Sequence, residues 1–408
     1  MSHPIMLSSP SYNRRELAIS FIIALFLLLA CLTPAYAVAA ELEVSGWIPY
    51  WSGTKGPKDV QKHLNALSEI HPFGYSIKED GTLHNLVDIE NSSWEKLILR
   101  AREGDVLVSP TITTSDGALV HELLSDEEKR EKHIAEIIEM VEEGGYDGVN
   151  IDYEGKKTET KEYFSLFLRE LKSALREKRL SCAIEARTPP DSLYKTVPEN
   201  LEYANDYKQI GLSCDVVEIM AYDQQRADIK LNNTRRGMPY MPVADVDWVR
   251  KVVNLAAITI PEEKIILGIP TYGTEYEVTV SPNWFQDYKR VRALNPDAAT
   301  ALAKKQKVKM SRNSAGEMAF SYATDATSSK VKGYKVPSRT PGGNKVAAQA
   351  LAYANKTGKT TYFNVVSWSD ADAIEAKVKL ARELDLRGVA IFKFDGEEDP
   401  DLWDLFEE

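Results

Sequence analysis

Short apolar segments that favour β-strands alternate about eight times with segments that favour helices, between positions 44 and 394. The strand-like segments span 44–51, 73–77, 105–112, 147–154, 180–185, 215–222, 264–272 and 388–394. Strands separated by helices pair in parallel, because a parallel connection needs a crossover. Eight such units predict an α/β protein built as a closed (β/α)8 TIM barrel. An open doubly wound sheet is the alternative, but no glycine-rich phosphate loop follows the first strand.

One region, about 275–361, breaks this alternation between the seventh and eighth strands. It combines a helix-like segment at 300–309 with a stretch rich in Ser, Lys, Gly and Pro that runs to position 344. We interpret it as a small α+β insertion. The chain from 42 to 408 has no internal repeat and no low-complexity linker, so we expect one barrel domain that carries this insertion.

The first 39 residues have the organisation of a signal peptide. Two arginines stand at 14–15, an almost unbroken apolar run covers 17–32, and Ala-Tyr-Ala at 35–37 fits a cleavage site. We expect cleavage after position 37 or 39 and an exported protein, secreted or held in the periplasm or cell envelope. An uncleaved membrane anchor is the alternative, because the apolar run approaches the length that spans a bilayer. A lipoprotein with its lipobox at 28–31 is a further alternative.

The formal net charge of -11 argues against nucleic acid as a partner, since nucleic-acid-binding proteins present a basic surface to phosphates. An acidic chain is equally unsuited to anionic membranes, so membrane contact is expected only if the N-terminal segment stays uncleaved. The chain has 6 histidines and no Cys/His cluster with metal-ligand spacing, so we expect no metal site and no cofactor. We expect a monomer.

The chain contains three cysteines, and Cys31 lies within the predicted signal peptide. Cys182 and Cys214 each lie in or beside an apolar, strand-like segment. A disulfide between them would suit an exported protein. Their core-like surroundings favour two buried free thiols instead, and that is our prediction.

Residues 147–154, Asp-Gly-Val-Asn-Ile-Asp-Tyr-Glu, carry the pattern most suited to chemistry. Side chains two apart on a strand share a face, so we expect Asn150, Asp152 and Glu154 to point the same way. Neighbouring carboxylates repel, which raises one pKa and keeps one group protonated near neutral pH. A protonated carboxyl beside a charged one is the arrangement that protonates a glycosidic oxygen. The alternative is a solvated edge strand, which the flanking amphipathic helices disfavour.

This segment resembles the Asp-Gly-x-Asp-x-Asp-x-Glu signature of glycoside hydrolase family 18, with Asn150 in place of one Asp. Met-Ala-Tyr-Asp at 220–223 resembles the Met-x-Tyr-Asp motif of the same family. The resemblance covers roughly 44–399 and is strongest at these two motifs and from Gly388 onward. Members of the family are (β/α)8 barrels, and their insertions after the seventh strand form a wall of the substrate cleft. The resemblance therefore implies the same fold as the strand count.

The resemblance also implies a substrate-assisted mechanism, in which no second carboxylate acts as nucleophile. Glu154 would be the general acid and later the base on water, and the substrate's own N-acetyl group would attack with retention of configuration. Asp152 would hold the acetamido N–H, Tyr222 its carbonyl, and Asp223 the sugar in the −1 subsite. Asn150 belongs to this catalytic set, but it cannot take a proton from Asp152 as the family's Asp can. That difference would shift the pH optimum or lower the rate.

Active sites of eight-stranded barrels lie at the carboxyl ends of the strands, where aromatic faces can stack on sugar rings. Besides Asp223, the residues expected to bind substrate there are Trp47, Tyr50, Tyr75, Tyr272 and Phe392. For Tyr75 and Tyr272 a place in the core is an equal alternative. By the resemblance, Phe392 stands nearest to the position where the family has a tryptophan. Three other tryptophans, Trp51, Trp284 and Trp368, are expected to be packing residues.

These observations predict an exported retaining glycosidase that hydrolyses β-1,4-linked N-acetylglucosamine glycans. Chitin, chitooligosaccharides and the glycan of peptidoglycan all fit the resemblance as partners. The alternative is a chitinase-like lectin that keeps the barrel and the cleft but has lost catalysis. Lectin-like relatives usually lose the acid, and Glu154 is present.

Overall fold

The computed structural model describes residues 42–87, 92–235 and 237–407. The predicted signal peptide at 1–39, with Cys31, lies outside these residues. Within the described part of the chain, no helix is both long and apolar enough to cross a membrane.

The centre of the fold is a closed barrel of parallel strands. The described strands are β1 (Glu43–Pro49), β2 (Glu69–Ile77), β3 (Leu83–Asn85), β4 (Leu107–Val108), β5 (Thr111–Thr114), β6 (Gly148–Tyr153), β7 (Arg179–Glu185), β8 (Val216–Met220), β9 (Ile265–Pro270), β10 (Gly273–Ser281), β11 (Trp284–Leu294), β12 (Ser311–Arg312), β13 (Met318–Tyr322), β14 (Thr361–Trp368) and β15 (Gly388–Phe392). The barrel runs in the order β1, β15, β9, β8, β7, β6, β5, β2, and β1 closes it by pairing with β2. The short β3 and β4 pair with β2. The predicted (β/α)8 barrel is confirmed.

Helices connect the strands; the three between positions 296 and 357 belong to the insertion described below, and the others lie around the barrel. The helices are α1 (Lys55–Val60), α2 (Ser92–Glu103), α3 (Gly117–Ser125), α4 (Glu127–Glu143), α5 (Lys161–Leu175), α6 (Pro190–Leu193), α7 (Tyr207–Ser213), α8 (Ile229–Thr234), α9 (Val246–Ala256), α10 (Pro296–Gln306), α11 (Asp325–Val331), α12 (Lys345–Thr357) and α13 (Ala371–Glu383). The apolar faces of the helices around the barrel pack on the outward side chains of the strands, as the helical spacing of apolar residues requires. One large core cluster therefore lies between the barrel and its helices.

Alternation along β6 directs its polar side chains inward. Ile151 and Tyr153 are fully buried in the outer layer, where Tyr153 stacks on Phe167 of α5 with ring centroids 5.7 Å apart. Asn150 and Asp152 point the other way, into the barrel, where they bond to side chains of other strands. The period of two predicted from the sequence thus places the two polar groups on the inner face.

The insertion between β9 and β15 is a second, antiparallel sheet in the order β11, β10, β14, β13, β12. It begins at β10 and ends with β14, so it spans Gly273 to Trp368 rather than about 275–361. The difference arises because β14 returns through the centre of this sheet between β10 and β13. Apolar residues of α12 pack with Val278 and Phe363, so the insertion has a hydrophobic core of its own.

Cys182 and Cys214 form a disulfide bond, with Cα atoms 6.1 Å apart. The prediction of two free thiols is therefore wrong. Cys182 lies in β7, and Cys214 ends α7 immediately before β8, which pairs with β7. Both cysteines are buried, as their local pattern indicated. A local pattern does not show that two neighbouring strands bring the side chains into contact.

Candidate active site

A cavity of about 390 Å³ opens at the carboxyl ends of the barrel strands. Its lining residues are Trp47, Phe73, Asp152, Glu154, Glu185, Ala186, Thr188, Met220, Tyr222, Asp223, Ala227, Trp248 and Phe392. Six residues predicted from the sequence are among them: Trp47, Asp152, Glu154, Tyr222, Asp223 and Phe392. They come from four different strand ends, so closure of the barrel brings them together.

Asp152 lies on the floor of the cavity and Glu154 lies nearer to solvent. Asp152 is 3% exposed, and its Oδ2 accepts a hydrogen bond from Thr113 Oγ1 at 3.0 Å. Its Oδ1 is buried and has no hydrogen-bond partner among the described residues. The backbone N–H of Glu154 donates to Thr114 O at 2.8 Å, which holds the end of β6 against β5. A buried acceptor without a donor is costly, so Asp152 Oδ1 is suited to an N–H of a ligand.

The pKa values of both carboxyls lie above their ordinary values. Burial is the largest cause for Asp152, and the charge of Glu154 adds to it, while Thr113 and Lys156 act in the opposite direction. Burial is also the largest cause of the raised pKa of Glu154, and the negative charge of Glu185 is the next. The pKa of Asp152 rises to about 8, so this pair of neighbouring carboxyls holds a proton near neutral pH. This protonation state is the one that a general acid needs.

Glu185, at the end of β7, is a third carboxylate of the cavity, and the motifs did not predict it. Its Oε1 accepts from Gly155 N at 2.9 Å and its Oε2 from Asn205 Nδ2 at 2.7 Å, with Lys156 Nζ 3.6 Å from Oε2. Burial raises the pKa of Glu185, but these donors outweigh burial and the pKa lies below its ordinary value. Glu185 therefore stays charged beside Glu154. Its place at the carboxyl end of a barrel strand was the signal that could have found it.

Lys156 supplies a buried positive charge beneath these acids. Its side chain is fully out of solvent, its Nζ donates to the carbonyl of Tyr153, and it lies 4.6 Å from the centroid of the Phe164 ring. Burial lowers the pKa of Lys156, and the charges of Glu185 and Asp152 oppose that shift. In the described part of the chain, no group of three or more His, Cys, Asp or Glu side chains is placed to hold a metal ion.

Asn150, the residue that departs from the signature, is fully buried beneath the cavity. Its Oδ1 accepts from Trp47 Nε1 at 3.1 Å and from Thr111 Oγ1 at 2.9 Å, and its Nδ2 donates to Glu218 Oε2 at 2.6 Å. Glu218 Oε1 lies 2.7 Å from His71 Nε2, and both of these side chains are out of solvent. An ionised aspartate in place of Asn150 would have no proton to donate to Glu218. The asparagine therefore suits the buried carboxylate next to it.

Tyr222, Tyr272 and Phe392 form an aromatic cluster on one side of the cavity. Tyr222 stacks on Phe392 with ring centroids 5.4 Å apart, and Tyr272 meets these two rings edge-on at 6.3 and 6.1 Å. Tyr272 is not part of the lining, and its hydroxyl donates to Asp223 from behind. Burial raises the pKa of both tyrosines well above the ordinary value, so their hydroxyls stay protonated donors at neutral pH.

Aromatic residues in and just after β1, together with Phe73 of β2, lie partly in the floor of the cavity and partly at its rim. Trp47 is 1% exposed in the floor and meets Phe392 edge-on at 5.8 Å. Tyr50 is 39% exposed outside the lining and contacts Trp51 at 5.0 Å. Trp51, expected to be a packing residue, is 51% exposed and contacts Phe73 at 5.7 Å. Phe73 lines the cavity without having been predicted, and Tyr50 and Trp51 form an exposed rim beside it.

Tyr75 is a predicted site residue that the structure places in the core, away from the cavity. It is buried in the layer outside the barrel and is hydrogen-bonded to Tyr146. The register of β2 against β5 shifts between Phe73 and Tyr75, so the strand bulges at Gly74. Strict alternation would point both aromatic rings into the barrel, and the bulge turns Tyr75 outward. Tyr75 therefore occupies a place in the core, which was the alternative given for it from the sequence.

Residues 113–397 match the model of glycosyl hydrolases family 18. Among curated proteins, the uncharacterized glycosylase YvbX of Bacillus subtilis is 23% identical over 292 residues, which is 71% of this chain and 68% of YvbX. The cortical fragment-lytic enzyme of Bacillus anthracis is 26% identical over 258 residues, 60% of this chain and 55% of that enzyme. The chain thus spans between half and about two thirds of the length of these relatives.

Solved structures of two enzymes have the same fold. The spore cortex-lytic enzyme SleL of Bacillus cereus gives a TM-score of 0.65 at 22% identity, covering 90% of this chain and 73% of that chain. A class V chitinase from Pseudomonas fluorescens gives 0.66 at 22% identity, covering 90% and 98%. At these identities the likeness concerns the fold.

Proposed function

The chain belongs to glycosyl hydrolase family 18 and is a glycosidase, and from that premise we propose that it cleaves β-1,4-linked N-acetylglucosamine glycans with retention of configuration. One observation carries this proposal. Asp152 Oδ1 is a buried acceptor that lacks a partner among the described residues, and it lies in the same cavity as the raised-pKa carboxyl of Glu154. A sugar with an acetamido N–H supplies the missing donor and also the nucleophile.

In the proposed first step, the Glu154 carboxyl gives its proton to the glycosidic oxygen as the bond to the anomeric carbon breaks. The carbonyl oxygen of the substrate's acetamido group forms the new bond to that carbon, which yields a cyclic oxazolinium ion. Asp152 accepts the acetamido N–H and stabilises the positive charge. The Tyr222 hydroxyl donates to the acetamido oxygen, and Asp223 binds the same sugar.

In the second step, the Glu154 carboxylate takes a proton from water, and the oxygen of that water attacks the anomeric carbon. The bond to the acetamido oxygen breaks, and the product keeps the starting configuration because two inversions have occurred. The hydrogen bond from Thr113 to Asp152 stays in place through both steps, because it uses Oδ2 and leaves Oδ1 for the acetamido N–H.

Glu185 supports this route over attack by a protein carboxylate. It is charged and lies in the cavity, which are two properties of a nucleophile. Its two oxygens, however, accept hydrogen bonds from Gly155 N and Asn205 Nδ2, which lower the basicity of the carboxylate and so weaken it as a nucleophile. We therefore assign Glu185 to the protein side of the site, as a charge that acts on Glu154.

We further propose that the polymer is the glycan of a bacterial cell wall, with chitooligosaccharides as substrates of the same cleft. Sequence relatives named cortical fragment-lytic enzyme support a cell-wall polymer. Both polymers contain β-1,4-linked N-acetylglucosamine, so the proposed chemistry at Asp152 and Glu154 is shared. Side-by-side assays on peptidoglycan fragments and chitohexaose separate the two preferences.

The first experiment measures release of 4-methylumbelliferone from its chitobiose and chitotriose glycosides across the pH range from about 4 to 8. Glu154→Gln keeps the size of the side chain but cannot give up a proton. We expect it to lower the rate by about 10²–10⁴-fold. Glu159→Gln is the matched control, because Glu159 is an exposed glutamate close by in the chain. Proton NMR of the first product shows the β-anomer if configuration is retained.

A wild-type protein that binds these sugars by calorimetry without cleaving them would support the lectin alternative. Equal rates for wild type and Glu154→Gln would remove Glu154 from the role of acid. Activity on peptidoglycan fragments alone would restrict the substrate to the cell-wall glycan.

We also propose that the protein is exported through its N-terminal segment. The arginines, apolar run and small-residue site within positions 1–39 support this. N-terminal sequencing of the protein from cell-free medium and from membranes tests it. A mature start near position 38 or 40 is expected, and a membrane-bound chain that keeps the whole segment would indicate the anchor instead.

A further inference from the structure

A second cavity of about 390 Å³ lies where the loop after β8 meets the β10–β11 hairpin of the insertion. Residues of its lining that carry the argument are Arg226, Asn232, Trp284 and Tyr288. We propose that this cavity is a second glycan-binding site, which holds sugar residues of the polymer away from the bond that is cut. This inference rests on the proposed function, because the polymer is the one hydrolysed in the cleft.

Trp284 is the clearest sign of a ligand. It was expected to be a packing residue, as Trp368 of the same sheet is at 3% exposure, yet Trp284 is 58% exposed. Single exposed rings are common on protein surfaces, but this one lines a cavity, which is the kind of place where ligands bind. Tyr288 lines the same cavity. Indole and phenol rings offer flat faces with polar edges, which suit the apolar faces and hydroxyl rims of sugar rings.

Polar groups in the cavity complement the rings. Asn232 Nδ2 donates to Arg226 O at 3.0 Å, while Asn232 Oδ1 is buried and lacks a hydrogen-bond partner among the described residues. The Arg226 guanidinium lies 5.9 Å from the centroid of Tyr288 and donates to the carbonyl of Gln286 at 3.1 Å. An acceptor in need of a donor suits a sugar hydroxyl or an acetamido N–H. The remaining N–H groups of Arg226 suit an oxygen-rich ligand.

The second cavity adjoins the active-site cleft. Arg226 lines the second cavity and its chain neighbour Ala227 lines the cleft, so a single turn of backbone separates them. On the insertion side, Tyr276 follows Tyr272 on the same segment of chain and contacts Tyr288 with ring centroids 6.4 Å apart. Tyr276 is itself buried in the core of the insertion, so it supports Tyr288 from beneath. An extended polymer bound at Glu154 can pass over the loop at 226–227 and be held at both places.

The test compares a short and a long substrate with the Trp284→Ala variant. The 4-methylumbelliferyl chitobioside occupies the cleft alone, whereas chitohexaose and glycan strands of peptidoglycan extend beyond it. We expect the substitution to lower kcat/KM for the long substrates roughly tenfold, the size of one lost stacking contact, and to leave the short one unchanged. Tyr362→Ala is the matched control, because Tyr362 is 45% exposed on β14 of the same sheet and lines neither cavity.

Unchanged kcat/KM for every long substrate would overturn the second site. An equal loss on the short glycoside would also overturn it, since the effect would then arise in the cleft or in the fold. Trp284 is exposed, so the variant is expected to unfold at the temperature of the wild type.

A binding measurement separates this inference from the proposed function. Chitohexaose is titrated into Glu154→Gln and into Glu154→Gln/Trp284→Ala by calorimetry, where no turnover is needed. Roughly tenfold weaker binding by the double variant supports the second site, and equal binding or no binding by both overturns it. Failure of wild type to cleave the chitobioside, chitohexaose and peptidoglycan strands would contradict the proposed function, while this titration would still decide the second site.

Arg226→Gln distinguishes the two polymers. The positive charge of the Arg226 guanidinium attracts carboxylates, which peptidoglycan strands carry and chitohexaose lacks. We expect weaker binding of the peptidoglycan strands alone if the cavity is used by the cell-wall glycan. A loss that is equal for both ligands would assign Arg226 to neutral contacts, and no loss would exclude it from the site.

Discussion

Asn150 and Glu218 are a pair of side chains in which each requires the other. Asn150 Nδ2 donates to the buried carboxylate of Glu218 at 2.6 Å. We expect Asn150→Asp to lower the free energy of unfolding by about 3 kcal/mol, because two buried carboxylates would then face each other. Thermal unfolding at neutral pH measures this loss.

The double variant Asn150→Asp/Glu218→Gln is the control for this pairing. The new amide can donate to the aspartate while its carbonyl faces His71, so most of the lost stability returns. A single variant as stable as the wild type would contradict the pairing. A double variant no better than the single one would assign the loss to another cause.

Glu185 influences the pH at which Glu154 carries its proton. After burial, the charge of Glu185 is the next cause that raises the pKa of Glu154. In Glu185→Gln this like charge is absent, so the pKa of Glu154 falls. Since the general acid must be protonated, the high-pH limb of kcat/KM is expected to move to lower pH. The pH profile on the chitobioside measures it.

The exposed Glu202 serves as the comparison for that profile, because it lines the neighbouring surface and not the active-site cavity. Glu202→Gln is expected to leave the profile where it is. A high-pH limb that stays in place or moves up in Glu185→Gln would show that Glu185 does not act on the acid.

A site residue can be predicted from the sequence when the pattern that marks it lies within a few neighbouring positions. Asp152 and Glu154 belong to one motif and Tyr222 to another, and strand alternation or a strand end gives their direction. Glu185 stands in a strand without a motif. Its contact with Lys156 depends on the pairing of β6 with β7, which no local pattern contains.

At the level of elements, periodicity predicted that β2 is a strand but not the phase of its second half. The bulge at Gly74 separates the inward Phe73 from the outward Tyr75. A Cβ at position 74 would lie 2.6 Å from Val87 Cγ2, so glycine lets the bulged strand pass close to this side chain. A single extra residue in a strand reverses every later side chain, which is why phase is harder to predict than strand type.

The disulfide joins β7 to the connection that leads into β8, across a sequence separation of 32. A cross-link of this span restricts the unfolded chain and contributes about 2–4 kcal/mol in the chain-entropy model. We expect Cys182→Ala/Cys214→Ala to lose this amount in urea unfolding. Cys182→Ala alone should lose a similar amount, because either substitution removes the bond. Unchanged stability in both variants would contradict a structural role.

At the scale of the molecule, Glu43 ties the first strand of the barrel to the segment that enters the last strand. It accepts from Arg387 and from Arg179, each at 2.6 Å, opposite to the end that carries the cleft. Burial raises the pKa of Glu43, but the two guanidinium groups outweigh burial, and the pKa lies below its ordinary value of 4.5. The stability from this group is therefore present above that value and is lost as pH falls through the lowered pKa.

Glu43→Gln is expected to lower the free energy of unfolding at neutral pH by about 1 kcal/mol, a modest amount because the ion pair is partly exposed. The difference from wild type should vanish in acid, where Glu43 is protonated. Unfolding curves at several pH values measure this. Glu79→Gln is the control, because Glu79 is exposed. A loss of stability in Glu43→Gln that persists in acid would contradict an origin in the ion pair.

The whole architecture was the most predictable level. Eight alternations of strand and helix leave few topologies, because parallel strands need crossovers and a closed barrel leaves no unpaired edge. The presence of the insertion was also predictable from the interrupted rhythm. The strand order of its sheet was not predictable, because β14 pairs with β10 from the other end of the insertion. No local sequence pattern indicates such a long-range contact.

Closure of the barrel has a consequence for how the protein is made. Glu43 and Arg387, which meet where the first strand joins the last, are 344 positions apart. A ribosome that adds about 5–20 residues per second needs roughly 20 to 70 s to cover that distance. During this time β1 lacks one of its two partners, and apolar strands stay unprotected. Chaperone binding to the nascent chain is therefore expected to persist at least until translation has reached β15.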